Sequence, residues 1–187
     1  MAILSSDILI FLSGAASDGA AQTDPALSLG GFRSATQPTS GADNNLLDDV
    51  SGSEASAGDT EYRCYFYKNS HASLPLTSAK FYIDTATGNA QDAIAFAIEV
   101  PTTSDTTGSV QTIINESTSP VVNTGNCSNW STATTYAGGV AVNINAHDTE
   151  MSISEIIGVW IRRVVSAGAS AVNAETVTIA CRGDTGA

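Results

Sequence analysis

Positively charged residues are scarce in this sequence. Lys and Arg together number 7 among 187 residues, against 19 Asp and Glu, and the formal net charge is −12. Proteins that bind nucleic acid present a concentrated positive field to the phosphates, and anionic membrane surfaces attract proteins through the same kind of field. The charge balance therefore argues against nucleic acid and against a membrane surface as partners.

Long apolar runs are missing as well. The longest run, residues 8–12, is far shorter than the roughly 20 residues that a membrane-spanning helix needs. The residues before it include no Lys or Arg, and Ser5-Ser6-Asp7 interrupts them, unlike the start of a secretory signal. We therefore expect neither a transmembrane helix nor a secretory signal.

Cysteines are few and widely spaced. Cys64, Cys127 and Cys181 form no C-x-x-C pair, which predicts free thiols rather than a zinc site with four closely spaced ligands. The acidic stretch 43–49 lacks the glycine and the terminal glutamate of an EF-hand loop, so a solvated turn is favoured over a calcium site. The sequence predicts no metal and no cofactor.

The only two histidines are His71 and His147. Any Ser-His-Asp or Cys-His mechanism has to use one of them, and both lie in polar segments with turn-forming residues. The chain contains no G-x-S-x-G elbow, P-loop or dinucleotide-binding fingerprint. We therefore predict structural or solvated roles for both histidines, no catalytic residues and no enzymatic activity.

Alternating apolar and polar residues dominate the sequence from residue 61 onward. Seven short segments have this period of two and are separated by turn-forming stretches such as Thr87-Gly88-Asn89. No window sustains the period of an α-helix. The pattern predicts an all-β fold, a β-sandwich or jelly roll. The segments are residues 62–68, 80–84, 93–100, 110–114, 140–144, 157–165 and 176–181.

The first 57 residues have a different composition, rich in Gly, Ala, Ser and Asp. Such a segment has few side chains to bury and many turn formers. We predict an extended N-terminal arm with little regular structure at residues 1–57, and a β-sandwich domain at 58–187. Leu27, Leu29 and Phe32 are the expected anchors of this arm on a partner subunit, and a flexible N-terminal region is the alternative.

Trp160 and Arg162 are candidate partner contacts on a sheet face. They alternate with Val159 and Ile161 along one predicted strand. If Val159 and Ile161 face the core, Trp160 and Arg162 project from the opposite face, and both residue types are enriched at protein interfaces. The pattern is equally compatible with a buried Trp160 and an Arg162 on the rim.

Two further features have both a functional and a structural interpretation. Trp130 and Tyr136 stand in a polar stretch where aromatic rings are able to stack on sugars, although Trp130 as a cap on the sandwich core is favoured. Arg182-Gly183-Asp184 resembles an integrin-binding tripeptide. Three residues recur by chance, so this tripeptide is interpreted as part of a polar C-terminal tail.

Two longer segments resemble a group of tailed-bacteriophage virion proteins. Residues 48–64, followed by 68–72, match a pattern DDVSG.E...GDTEYRC...KN.HA, and residues 158–170 match a pattern WIRR.V.AGAS near the C-termini of those proteins. The resemblance implies a β-sandwich or jelly roll that assembles on the outer face of the capsid shell. It implies no catalytic residues.

The resemblance leads to a functional expectation. We expect a non-enzymatic capsid decoration (cement) protein that is made in the cytoplasm of the host bacterium and binds the major capsid protein lattice on the surface of the virion, as a homo-oligomer, either a dimer or a trimer. Two alternatives remain open: a structural protein of the tail or neck, and a carbohydrate-binding module for host attachment.

Overall fold

The computed structural model describes residues 2–102, 104–144, 147–170 and 175–185. Two antiparallel sheets make up the described chain, and this confirms the predicted all-β sandwich. The described residues include no helix with the length and hydrophobicity that a membrane crossing requires. The elements are β1 (Ile8–Ala15), β2 (Gly30–Arg33), α1 (Gly52–Ala57), β3 (Asp59–Asn69), β4 (Leu76–Thr85), β5 (Asp92–Glu99), β6 (Ser109–Thr112), β7 (Val140–Ala141), β8 (Ile156–Val165) and β9 (Thr178–Thr185).

The large sheet has six strands in the order β5-β8-β3-β1-β2-β6, and the small sheet has the order β7-β4-β9. At the centre of the large sheet, β3 pairs with β8 over ten residue pairs, from Asp59 opposite Val165 to Lys68 opposite Ile156. All seven segments predicted as strands are present, although β7 is much shorter than expected. Alternation is a local signal, so it locates strands well even where their partners lie far away in the sequence.

Both faces of the large sheet are covered. Tyr65 and Val159 point into a first core between the two sheets, together with Phe81 of the small sheet. Phe66 and Trp160 point the other way, into a second core. This second core is closed by β6 and the segment that follows it, through the side chains of Val110, Ile113 and Cys127.

A buried carboxylate joins the strands around the second core. Glu99, only 3% exposed, accepts a hydrogen bond from the indole Nε1 of Trp160 at 2.7 Å. It also accepts from the backbone nitrogen and from the side-chain Nε2 of Gln111, each at 2.9 Å. Gly158, which lies opposite Glu99, lets Val110 of β6 pack closely against β8, because a Cβ at Gly158 would lie 2.6 Å from Val110 Cγ1. These three hydrogen bonds replace the hydrogen bonds from water that a carboxylate loses when it is buried.

The N-terminal region differs from the arm predicted for residues 1–57. β1 lies inside the large sheet between β3 and β2, with Leu12 opposite Tyr65. Leu12 enters the first core and Phe11 enters the second, so this short apolar run serves both faces. Gly- and Ser-rich composition favours irregular structure only where no apolar run competes with it. Here five consecutive apolar residues suffice, because a strand edge is available on β3.

The Glu99 carboxylate provides a test of this packing. Substitution Glu99→Gln should lower the free energy of unfolding by about 2 kcal/mol, because an amide turns an NH2 group toward groups that are themselves donors. Chemical denaturation measures the change. The control Asp43→Asn alters an exposed carboxylate outside this core and should leave stability unchanged. Equal stability of Glu99→Gln and the wild type would contradict the role given to Glu99.

Candidate functional site

The structure places the two predicted sheet-face contacts differently. Trp160 does project from the face opposite Val159 and Ile161, but that face is covered by the second core and Trp160 is fully buried. The expectation of an exposed Trp160 is therefore wrong, and the alternative of a buried Trp160 holds. Arg162 is half-buried, and its guanidinium lies 4.9 Å from the centre of the Trp130 ring.

Trp130 takes the capping position. It is half-buried against the second core, and its ring centre lies 5.7 Å from that of Tyr62, the cross-strand neighbour of Arg162. Because this ring already packs against both Tyr62 and Arg162, it offers a poor platform for a sugar. Tyr136 lies elsewhere, and its hydroxyl donates a hydrogen bond to the Ser78 carbonyl.

The predicted arm anchors lie beside β2. Leu27 ends a short 3₁₀ turn, Pro25–Leu27, and its side chain is 54% exposed. Leu29 is half-buried against the second core, and its carbonyl accepts a hydrogen bond from the Ile113 nitrogen. Phe32 is half-buried within β2. Of the three, Leu27 alone presents a largely exposed apolar side chain.

Two further exposed apolar residues lie in the segment that neighbours Leu29. Ile114 follows Ile113 and is 86% exposed, and Val121 is 67% exposed. Val121 is held beside β6, because its backbone makes two hydrogen bonds with the side chain of Gln111. We call Leu27, Ile114 and Val121 the apolar margin.

A network of five ionisable side chains lies where the segment before α1 meets the large sheet. Arg163 Nη2 lies 2.6 Å from Glu61 Oε1 and 3.3 Å from Asp48 Oδ1. Arg63 pairs with Glu116 and lies 3.9 Å from Asp48 Oδ2. Glu61 is 3% exposed and Arg63 is 1% exposed, so both polar groups depend on these partners.

The network fastens residues 46–48 to the sheet. Arg163 Nη2 also donates to the Asp48 carbonyl at 2.7 Å, and the Tyr65 hydroxyl donates to the Leu46 carbonyl. Leu46 and Leu47 pack against the first core. Through these contacts, residues 46–48 of the predicted arm pack against the large sheet of the same chain. The chain then enters α1 through a capping box, in which Ser51 and Glu54 each bond the other's backbone nitrogen.

The three carboxylates of the network resemble a metal site in one respect. Ligand oxygens of Asp48, Glu61 and Glu116 lie within 4.8 Å of one another. The guanidinium groups of Arg63 and Arg163 already stand among these oxygens, however, and they supply the positive charge that a cation would bring. The arrangement is therefore an ion-pair network that holds a segment in place.

A small cavity lies beside this network. It has a volume of about 130 Å³ and includes Arg63 and Asp48 in its wall. Its other wall residues come from the 3₁₀ turn and from the segment 44–47. They are Asp24, Pro25, Ala26, Asn44, Leu46 and Leu47.

Both histidines take part in turns. Nδ1 of the buried His71 accepts hydrogen bonds from the backbone nitrogens of Ser73 and Leu74, at 3.1 and 3.0 Å. His147 Nε2 lies 2.6 Å from Glu155 Oε1, and its Nδ1 lies 2.9 Å from the Asp148 carbonyl. Each ring is engaged by other groups of the chain.

Comparison with known proteins finds no relative of this chain. No family model matches the chain, no curated protein matches it, and no solved structure matches it.

Sequence reasoning missed both the network and the covered second face. Asp48, Glu61, Arg63 and Arg163 do lie inside the two segments, 48–64 and 158–170, on which the expectation of a virion protein was based, and this was the one available signal. Nothing in the spacing of these residues shows that 48 and 163 meet. Glu116 carried no signal at all, because it lies in a polar loop.

Removing the Asp48 carboxylate tests the fastening of the segment. In Asp48→Asn, residues 41–51 should exchange their amide hydrogens at least several-fold faster, while β8 keeps its protection, because local opening needs only the local contacts. Hydrogen exchange followed by mass spectrometry measures this. Asp49→Asn, a neighbouring exposed carboxylate, is the control. Unchanged exchange in Asp48→Asn would show that the network does not hold the segment.

The buried acids predict how stability depends on pH. Burial raises the pKa of Glu61 to about 8, that of Glu155 to about 7 and that of Asp92 to about 6. Burial alone lowers the pKa of His147, but the Asp148 carbonyl and the Glu155 carboxylate outweigh it and raise that pKa. The folded state therefore holds more protons than the unfolded state between about pH 4 and pH 8.

Stability should accordingly fall as pH rises through this window, by on the order of 2 kcal/mol from pH 5 to pH 8. Urea denaturation at each pH measures it. Repeating the series in high salt screens the general repulsion of the net negative charge but leaves the cost of burial. Glu61→Gln should flatten the profile, and Asp43→Asn should not. Greater stability at pH 8 than at pH 5 would contradict this assignment.

Proposed function

We propose that this chain is a non-enzymatic bacteriophage capsid decoration protein, which binds the outer surface of the major capsid protein lattice and stabilises the head. One observation carries the proposal: the two sequence segments that resemble phage virion proteins meet in the structure. They contain β3 and β8, which are adjacent antiparallel strands. They also supply Asp48, Glu61, Arg63 and Arg163 to one ion-pair network.

If the similarity of two short segments were due to chance, the two segments would not be expected to pack together in the fold. Residues 48–64 and 158–170 lie far apart in the sequence, yet their side chains form the centre of the large sheet and the attachment of the segment before α1. A resemblance that reflects a common fold would preserve such a unit. This agreement supports placing the chain with virion proteins, made in the bacterial host and located on the capsid.

The apolar margin is the part of the molecule best suited to contact the capsid. Leu27, Ile114 and Val121 are each more than half exposed and belong to neighbouring segments beside β2 and β6. Apolar side chains that become buried at an interface contribute strongly to binding. Leu27 was also an expected anchor from the sequence, and the structure leaves it exposed.

The same resemblance also fits a structural protein of the tail or neck, and micrographs distinguish the two. A decoration protein appears as regularly spaced density on the head, whereas a tail protein appears as rings or stacked tubes. The carbohydrate-binding alternative has less support, because the Trp130 ring already packs against Tyr62 and Arg162.

Binding to capsids tests the proposal. The purified protein should sediment with phage heads that lack it, and electron microscopy should show it on their outer surface. The double variant Leu27→Asp with Ile114→Asp should bind at least about tenfold more weakly, because two apolar contacts become charged. Ile153→Asp is the matched control, since Ile153 is 44% exposed but adjoins the far end of β3, where Ser154 bonds Asn69.

Failure of the wild-type protein to bind heads would contradict the proposal. Equal binding by the double variant and by Ile153→Asp would contradict the role of the apolar margin. Circular dichroism establishes that each variant is folded before its binding is compared.

A further inference from the structure

The outer edge of β9 is open. β9 is the last strand of the small sheet and pairs only with β4 among the described residues. The outer edge of β5, by comparison, is covered, because Phe96 exchanges two backbone hydrogen bonds with Ser131 and Ser128 bonds Ile98. Open strand edges are ready templates for another strand.

The direction of the free backbone groups follows from the pairing of β4. The Ile83 nitrogen donates to the Ala133 carbonyl at 2.8 Å, on the side away from β9. The opposed residues Ile83 and Ile179 are therefore a non-hydrogen-bonded pair, and so are Phe81 and Cys181, two residues further along. The Cys181 N–H and C=O consequently point to the outer edge.

Gly183 repeats the orientation of Cys181, because backbone groups alternate along a strand. The pairing with β4 shifts register between Thr77 and Lys80, but the extra residue of this irregularity lies in β4, so the alternation along β9 continues. In the described chain, no hydrogen bond reaches the outer N–H or C=O of either residue. Ile179 differs, since its carbonyl accepts from the Tyr67 hydroxyl at 2.7 Å. The unpaired part of the edge therefore runs from Cys181 toward Thr185.

The outward face of the same strands carries an unusual charge arrangement. Lys80 lies directly opposite Arg182, and both cations lie over the ring of Tyr136, at 5.4 and 5.2 Å. Like charges opposite each other across two strands destabilise a sheet. No carboxylate of the described residues lies within ion-pair distance of either cation, in a chain with 19 Asp and Glu. Asp184, exposed on the same face, is also without an ion-pair partner there.

We propose that a second copy of this chain adds its β9 to this edge, antiparallel and related by a two-fold axis at Gly183. In that register Gly183 faces Gly183 of the second copy as a hydrogen-bonded pair, and Cys181 faces Thr185. Arg182 then faces Asp184 of the second copy, and Asp184 faces Arg182. The two pairs between Arg182 and Asp184 are non-hydrogen-bonded. In such pairs the opposed side chains approach each other most closely.

Charge selects this register over its neighbours. An axis at Arg182 would place two arginines opposite each other, and an axis at Asp184 would place two aspartates opposite each other. Only the axis at Gly183 yields two opposite-charge pairs. It also brings a carboxylate to the face where Lys80 and Arg182 now lie side by side. The product is a continuous six-stranded sheet with the same surface used by both copies, as a two-fold dimer requires.

Charge reversal with complementation tests the register. Sedimentation equilibrium of the purified wild-type protein should show a dimer that weakens with salt. Arg182→Asp and Asp184→Arg, each alone, should raise the dissociation constant at least about tenfold, because each creates two like-charge pairs. Mixing the two variants should restore a heterodimer, since every opposed pair is then of opposite charge. Asp43→Arg, which changes the net charge by the same amount as Asp184→Arg, should leave the dimer intact.

Four outcomes would overturn the proposal. They are a monomeric wild-type protein, an oligomer other than a dimer, dimers that survive both single reversals, and a mixture that stays monomeric. Thermal unfolding of each variant establishes that it is folded. The measurement uses no capsids, so its failure is separate from failure of the proposed capsid binding.

Discussion

Burial of the central strand pair on both faces is the constraint on which the rest of the structure depends. β3 is buried from Glu61 to Tyr67, and β8 is buried from Ile156 to Ile161. A strand in that position has no solvent-facing side, so every polar side chain on it needs a partner inside the protein. Glu61 and Arg63 find theirs in the ion-pair network, and Trp160 finds its own in Glu99.

Two covering layers follow from this constraint. The small sheet covers one face, and the second face is covered by β6 and the segment that follows it, with β1 contributing to both cores. The N-terminal region is therefore part of the sandwich because the central strands need its side chains. The Asp48 segment is held for an electrostatic reason. The buried Glu61 pairs with Arg163, and Asp48 lies close to both Arg63 and Arg163.

Much of the fold was predictable from sequence, because alternation depends on neighbouring residues alone. It placed Trp160 and Val159 on opposite faces correctly. The alternation did not show whether either face of β8 was covered. The residues that cover the Trp160 face, Val110, Ile113 and Cys127, come from segments whose sequence does not indicate that they pack on β8. The same limit applies to the network, whose members meet only after the sheet has formed. Glycine-rich composition misled the interpretation of β1, where five apolar residues outweighed it.

The two proposed interaction surfaces belong to different sheets, and this has a consequence for affinity. The apolar margin lies beside β2 and β6 of the large sheet, and the open edge is β9 of the small sheet. Pairing through β9 therefore leaves the apolar margin of each copy free for another partner. A dimer would present two such margins at a fixed separation, and the second contact with a regular lattice becomes intramolecular once the first has formed. A few exposed apolar side chains per copy would then suffice for durable attachment, because the lattice supplies matching sites at a constant repeat.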